Sequence, residues 1–86
     1  MKPISYSHQA RKFLDSQTKD VRERIINAIE GIFEGKGDIK KLRGREGKRL
    51  RVGILGIYRV IFDDSGLVLY VYRIKTRGDV YKGGKS

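Results

Sequence analysis

Apolar residues recur along this chain with two different periods. Val21, Ile25, Ala28, Ile29, Ile32 and Phe33 fall on one side of a helix, while Lys19, Arg22, Glu23, Arg24 and Glu30 take the other. Ala10, Phe13 and Leu14 predict an earlier, shorter helix over 8–17. Ser7 stands where its hydroxyl would cap the first helix, and Thr18 where it would cap the second. Asp20 lies in the first turn of that second helix, where a negative charge suits the helix dipole. The run Gly35-Lys36-Gly37-Asp38 stops it.

From Lys48 onward the period changes to two. Lys48-Arg49-Leu50-Arg51-Val52-Gly53 and Ile57-Tyr58-Arg59-Val60-Ile61-Phe62 alternate apolar residues with arginines and predict two strands joined by a glycine-bounded turn. Leu50 and Val52 then face one way, Arg49 and Arg51 the other. Tyr58, Val60 and Phe62 share a face in the second strand, opposite Ile57, Arg59 and Ile61. After the turn Asp63-Asp64-Ser65-Gly66, residues 67–74 read as a third strand, apolar on both faces and therefore central in the sheet; at its end alternation returns, and Arg73 and Lys75 share a face. Ile4-Ser5-Tyr6, following Pro3, reads as an edge strand, and 39–46 as a loop anchored by Leu42.

The resulting order is β-α-α-β-β-β, an α+β fold with two N-terminal helices packed on one face of a small, mainly antiparallel twisted sheet. Residues 1–82 are expected to form a single domain and 83–86 a disordered tail. The helices would bury the Val21 stripe against Leu50, Val52, Tyr58, Val60, Phe62 and Tyr72. The other face would carry Arg49, Arg51, Arg59 and Lys75 among Ile57, Ile61, Leu69 and Val71. So much apolar surface on an open face calls for a cover, and a partner protein is the natural one.

Charge sharpens this picture. The chain of 86 residues carries 20 Lys and Arg against 10 Asp and Glu, a net charge of +10. Residues 1–38 are nearly balanced, with seven basic and six acidic side chains, whereas 39–86 hold thirteen against four. An excess concentrated on the alternating strands points to a polyanionic partner. Other chemistries recede. With no cysteine and one histidine, and no carboxylates at ligand spacing, no metal or cofactor is expected. His8 sits at a helix start with no evident partner and reads as a surface residue. The glycines around Gly44-Arg45-Glu46-Gly47 are not followed by the helix and Lys-Ser/Thr of a phosphate loop. No apolar run reaches the ~20 residues of a membrane span, and the first residues lack a signal-peptide core; a soluble cytoplasmic protein is the expectation. What remains is arginine, which binds phosphate in a bidentate manner, together with Tyr70, Tyr72 and Tyr81, whose rings can stack on unpaired bases. Such a set can bind RNA or cut it, because RNA supplies its own nucleophile in the 2′-hydroxyl.

Four stretches carry a resemblance. Lys41-Leu42-Arg43-Gly44, Lys48-Arg49-Leu50-Arg51-Val52-Gly53, Ile57-Tyr58-Arg59-Val60-Ile61-Phe62 and Arg77-Gly78-Asp79-Val80-Tyr81 resemble the RelE-like branch of the RelE/ParE toxin superfamily. The resemblance implies the toxin of a type II toxin–antitoxin system. Its activity would be ribosome-dependent cleavage of mRNA in the A site by metal-independent attack of the 2′-hydroxyl, which halts translation. Its partners would be mRNA on the ribosome, rRNA and a cognate antitoxin covering the basic sheet face. It further implies catalytic roles for Arg51, Arg59, Lys75 and Tyr81: Arg59 stabilising the transition state, Lys75 protonating the leaving group and Tyr81 stacking on the base. Arg49, Lys48, Arg77 and Lys82 would bind the substrate.

The chain departs from the family pattern at three places. The 54–56 turn is one residue longer, Arg51 stands where some members have lysine, and Thr76 stands where many have histidine. Because arginine keeps its proton at neutral pH, Arg51 would hold phosphate rather than accept a proton. Two other functions fit the same fold: a ParE-like gyrase inhibitor, and a non-enzymatic RNA-binding module.

Overall fold

The computed structural model describes residues 2–42 and 47–76. Both helix caps form as the sequence predicts. Ser7 Oγ accepts from the Ala10 N–H at 3.1 Å and opens α1 (His8–Asp15); Thr18 Oγ1 accepts from the Val21 N–H at 3.3 Å and opens α2 (Lys19–Glu30). α1 ends two residues earlier than the expected 17. Arg22 reaches back from α2 and donates to the carbonyls of Leu14 and Gln17, at 3.0 and 3.1 Å, closing the helix end there. α2 runs into a 3₁₀ turn over Gly31–Glu34, and Gly35 ends it at φ 73, a left-handed position that glycine takes without a steric cost.

Among the described residues the sheet has five strands: β1 (Ile4–Tyr6), β2 (Asp38–Lys41), β3 (Lys48–Val52), β4 (Tyr58–Asp63) and β5 (Leu69–Thr76), in spatial order β1-β5-β4-β3-β2. β1 runs parallel to β5, and the other pairs are antiparallel. β2 corrects the expectation of a loop from residue 39. Only Ile39 of its four residues packs against the core, so its alternation is too short to read in the sequence. The charged residues around Ile39 are those that guard an edge strand against further pairing. No described helix is long and apolar enough to cross a membrane.

The helices cover one face of the sheet. Ala10, Leu14, Ile25, Ile29 and Ile32 meet Leu50, Val52, Val60 and Phe62, all buried. β5 departs from the expected register. Leu69 and Val71, expected on the open face, are fully buried; Tyr72, expected in the core, is 44% exposed. The cause is a bulge. Ile61 pairs with Arg73 and Phe62 with Val71, which leaves Tyr72 without a partner on β4 and reverses the alternation after it. Val71 and Ile74 therefore both point inward, three residues apart.

Residues of α1 pin this bulge. Ser7 Oγ donates to the Tyr72 carbonyl at 2.5 Å. The Gln9 amide takes both backbone groups of Ile74: its Nε2 donates to the carbonyl at 2.8 Å and its Oε1 accepts from the N–H at 2.9 Å. Beyond the end of β1, the Gln9 side chain thus stands in for the missing strand.

Candidate functional site

Strand register places the cations of the uncovered face in rows. Asp38 pairs with Arg51, Arg51 with Arg59 and Arg59 with Lys75, giving one row across four strands. Lys40, Arg49, Ile61 and Arg73 form the next. Directly opposed side chains in a sheet are about 5 Å apart at Cβ, and like charges at that distance repel. The line Arg51–Arg59–Lys75 stores such repulsion, which a bound anion would relieve.

The members of the first row differ in their partners. Arg51 is held by Asp38, whose Oδ2 accepts from Nε at 2.7 Å and from Nη2 at 2.6 Å. With side chains 43% and 56% exposed, this ion pair contributes only about 0–1 kcal/mol, so a phosphate can displace the carboxylate. The Arg51 stem lies against the turn Ile54–Gly56. Gly56 makes room for it: at φ 65, a Cβ there would stand 2.8 Å from Arg51 Cδ. Arg49 and Arg59 are different. Their Nε atoms are buried and have no hydrogen-bond partner among the described residues. Nor does a described carboxylate lie within ion-pair distance of Arg49, Arg59, Arg73 or Lys75. A buried donor left unpaired costs about 1–3 kcal/mol, so two of them side by side favour an acceptor.

The acidic margin of the face stays ionised. The Ser65 backbone N–H donates to Asp63 Oδ1 at 3.0 Å, and this bond, followed by the Ser65 hydroxyl, holds the Asp63 carboxyl below its usual range.

Of the residues singled out in the sequence, the structure brings Arg49, Arg51, Arg59 and Lys75 onto one face. It does not bring Lys48 there. Lys48 has the parity of Leu50 and lies on the helix side, 3.2 Å from Asp64. Arg77, Tyr81 and Lys82 lie outside the described residues. Sequence reasoning missed Asp38, Arg73 and Gln9 as residues of the site. Arg73 was within reach, since it shares a face with Lys75; Asp38 becomes visible only once β2 is known to pair with β3.

No protein-family profile and no curated protein matches the chain in sequence. Solved structures do match. The isolated RelE toxin of E. coli superposes with a TM-score of 0.67 at 21% identity, over 99% of this chain and 96% of that one. The RelB–RelE antitoxin–toxin complex of Methanococcus jannaschii matches at 0.66 and 24% identity, over 92% and 96%. The archaeal RelE–RelB complex of Pyrococcus horikoshii OT3 matches at 0.62 and 27%, over 90% and 96%. With its helix pair, its five-stranded order and these likenesses along nearly the whole length, the chain has the fold of the RelE toxins.

Proposed function

We propose that this chain is the toxin of a toxin–antitoxin pair and cuts mRNA on the ribosome. The observation that carries the reading is the row Arg51–Arg59–Lys75, bordered by Arg49, with the Nε donors of Arg49 and Arg59 buried and unpaired. The RelE fold of the neighbours, and the antitoxin bound to two of them, support it.

In the proposed reaction the RNA phosphate lies across this row. Arg51 exchanges Asp38 for a phosphate oxygen, and Arg59 faces the charge that grows on the equatorial oxygens. The 2′-hydroxyl oxygen bonds to phosphorus and its proton leaves to solvent. The P–O5′ bond breaks, and O5′ takes a proton from Lys75, which solvent restores. The products are a 2′,3′-cyclic phosphate and a 5′-hydroxyl. Most of the gain comes from alignment and charge stabilisation, the two things a fixed row of cations supplies. A cognate antitoxin would cover the same face.

The test is primer extension on mRNA from translating ribosomes. The wild-type chain should create new ends within translated codons, and Arg59→Ala should lower the cleavage rate by about 10²–10³ while keeping the fold. Intact mRNA with an induced DNA-damage response would replace this reading with gyrase inhibition. Salt-dependent RNA binding without new ends would reduce it to a binding module.

A further inference from the structure

The bulge in β5 does more than reverse a register. In a regular strand Tyr72 and Arg73 would point to opposite faces. Here Val71 and Ile74 are both buried, and the two residues between them both turn outward to the open face. Tyr70 lies on that face too, opposite Asp63. The Tyr70 and Tyr72 rings meet edge to face, with centroids 4.7 Å apart and planes at 86°. Such a contact covers one face of one ring and leaves a π-surface free. Arg73, the next residue, has no carboxylate partner among the described residues. A ring and a guanidinium on neighbouring residues match the two parts of a nucleotide, a base and a phosphate. Arg73 also stands two residues from Lys75, roughly 7 Å along the strand. That places it one step from the reacting row.

We propose that Tyr72, seated on Tyr70 and flanked by Arg73, forms a second nucleotide subsite for single-stranded RNA. The unpaired base beside the reacting phosphate stacks on Tyr72, and the neighbouring phosphate meets Arg73. The proposal rests on the RNA-cleaving reading of the same face and assigns to it residues that the first row does not include. Charge selects the occupant: Arg73 adjoins the rings and belongs to the row that runs through Ile61 to Arg49 and Lys40 across the sheet, so the chain that lies here is a polyanion with flat apolar faces. Because every base has a π-face, the subsite sets register and affinity and imposes little choice of base.

Binding of a short unpaired RNA with methylated 2′-hydroxyls, which cannot be cut, tests this by fluorescence anisotropy at several salt concentrations. Tyr72→Ala should weaken binding about 5- to 150-fold and leave the slope of log K against log salt unchanged, because the ring carries no charge. Arg73→Gln should weaken binding and reduce that slope by about 0.7. Tyr72→Phe should bind like wild type, which separates a lost ring from a disturbed fold. An abasic residue moved along the RNA should cancel the Tyr72→Ala effect at one position only. Tyr72→Ala binding within twofold of wild type, or an abasic scan with no such position, overturns the subsite and leaves the cleavage reading standing. Wild-type protein that neither binds this RNA nor cuts translated mRNA overturns both.

Discussion

The two faces of the sheet are made by the same strands, from residues one position apart, and they are held together by opposite means. On the covered face Val60 and Phe62 are wholly buried against α1 and α2. On the open face Arg59, next to Val60 in sequence, faces Arg51 and Lys75 across the ladders. The covered face lowers its free energy by leaving water. The open face raises its own, lining up like charges and burying donors without acceptors. A fold of this size tolerates that only because the first face is well packed; on the proposed function, the second is kept because an anion uses it.

The sharpest break between the faces is a pair of alanine substitutions three residues apart, at Phe62 and Arg59. Phe62→Ala removes a fully buried ring and should cost about 3–5 kcal/mol, a large part of the whole stability of a small domain. Urea denaturation should show a strongly lowered midpoint or no folded baseline. Arg59→Ala should leave the stability within about 0.5 kcal/mol of wild type or raise it, since it removes repulsion and an unpaired donor, while lowering cleavage about 10²–10³-fold. Equal destabilisation by both would mean that the faces do not divide the work in this way.

The division was legible in the sequence for β3 and β4, because their arginines alternate strictly with aliphatic and aromatic residues. The helices were legible for the same reason, down to Ser7 and Thr18 as caps. It was not legible in β5. Leu69 to Tyr72 are all apolar or aromatic, so either parity satisfies the pattern, and the bulge that decides it depends on residues far away in the chain. Gln9 and Ile74 are 65 positions apart, and nothing local in either marks the contact. β2 escaped because a four-residue edge strand turns one apolar side chain inward. The site was thus readable where it rests on alternation, in Arg49, Arg51 and Arg59. It was unreadable where it rests on tertiary pairing, in Asp38 and in the outward turn of Tyr72.

That dependence gives an intermediate effect. Gln9→Leu keeps the size of the side chain and removes both hydrogen bonds to Ile74, leaving an N–H and a carbonyl of β5 unpaired beside the bulge. The expected loss is about 1–3 kcal/mol. It should be local first: the Ile74 amide should exchange with solvent much faster while Val60, central in the sheet, stays protected. Because the bulge orients Tyr72, Arg73 and Lys75, cleavage should fall by more than the stability loss explains. If the Ile74 amide kept its protection, Gln9 would not be what pins the bulge.

The smallest effect sits at the rim, where the covered face meets solvent. Tyr6 of β1 is half-buried on the helix side, packed against the core. Burial pushes its hydroxyl pKa up; the Glu30 carboxylate pushes the same way, and Arg11 pulls it down. The folded state therefore holds this proton more tightly than the unfolded chain does, where a tyrosine titrates near 10. Below about pH 10 both states are protonated and the contribution is fully present; as pH rises through the folded pKa, the unfolded state ionises first and stability falls. Tyr6→Phe has no proton to lose and should flatten this part of the decline. Urea midpoints of the two proteins between pH 8 and 11 should run parallel at first and diverge above pH 10, with the wild type falling faster. Parallel curves throughout would mean that the Tyr6 hydroxyl is as well solvated folded as unfolded, and that the covered face ends short of β1.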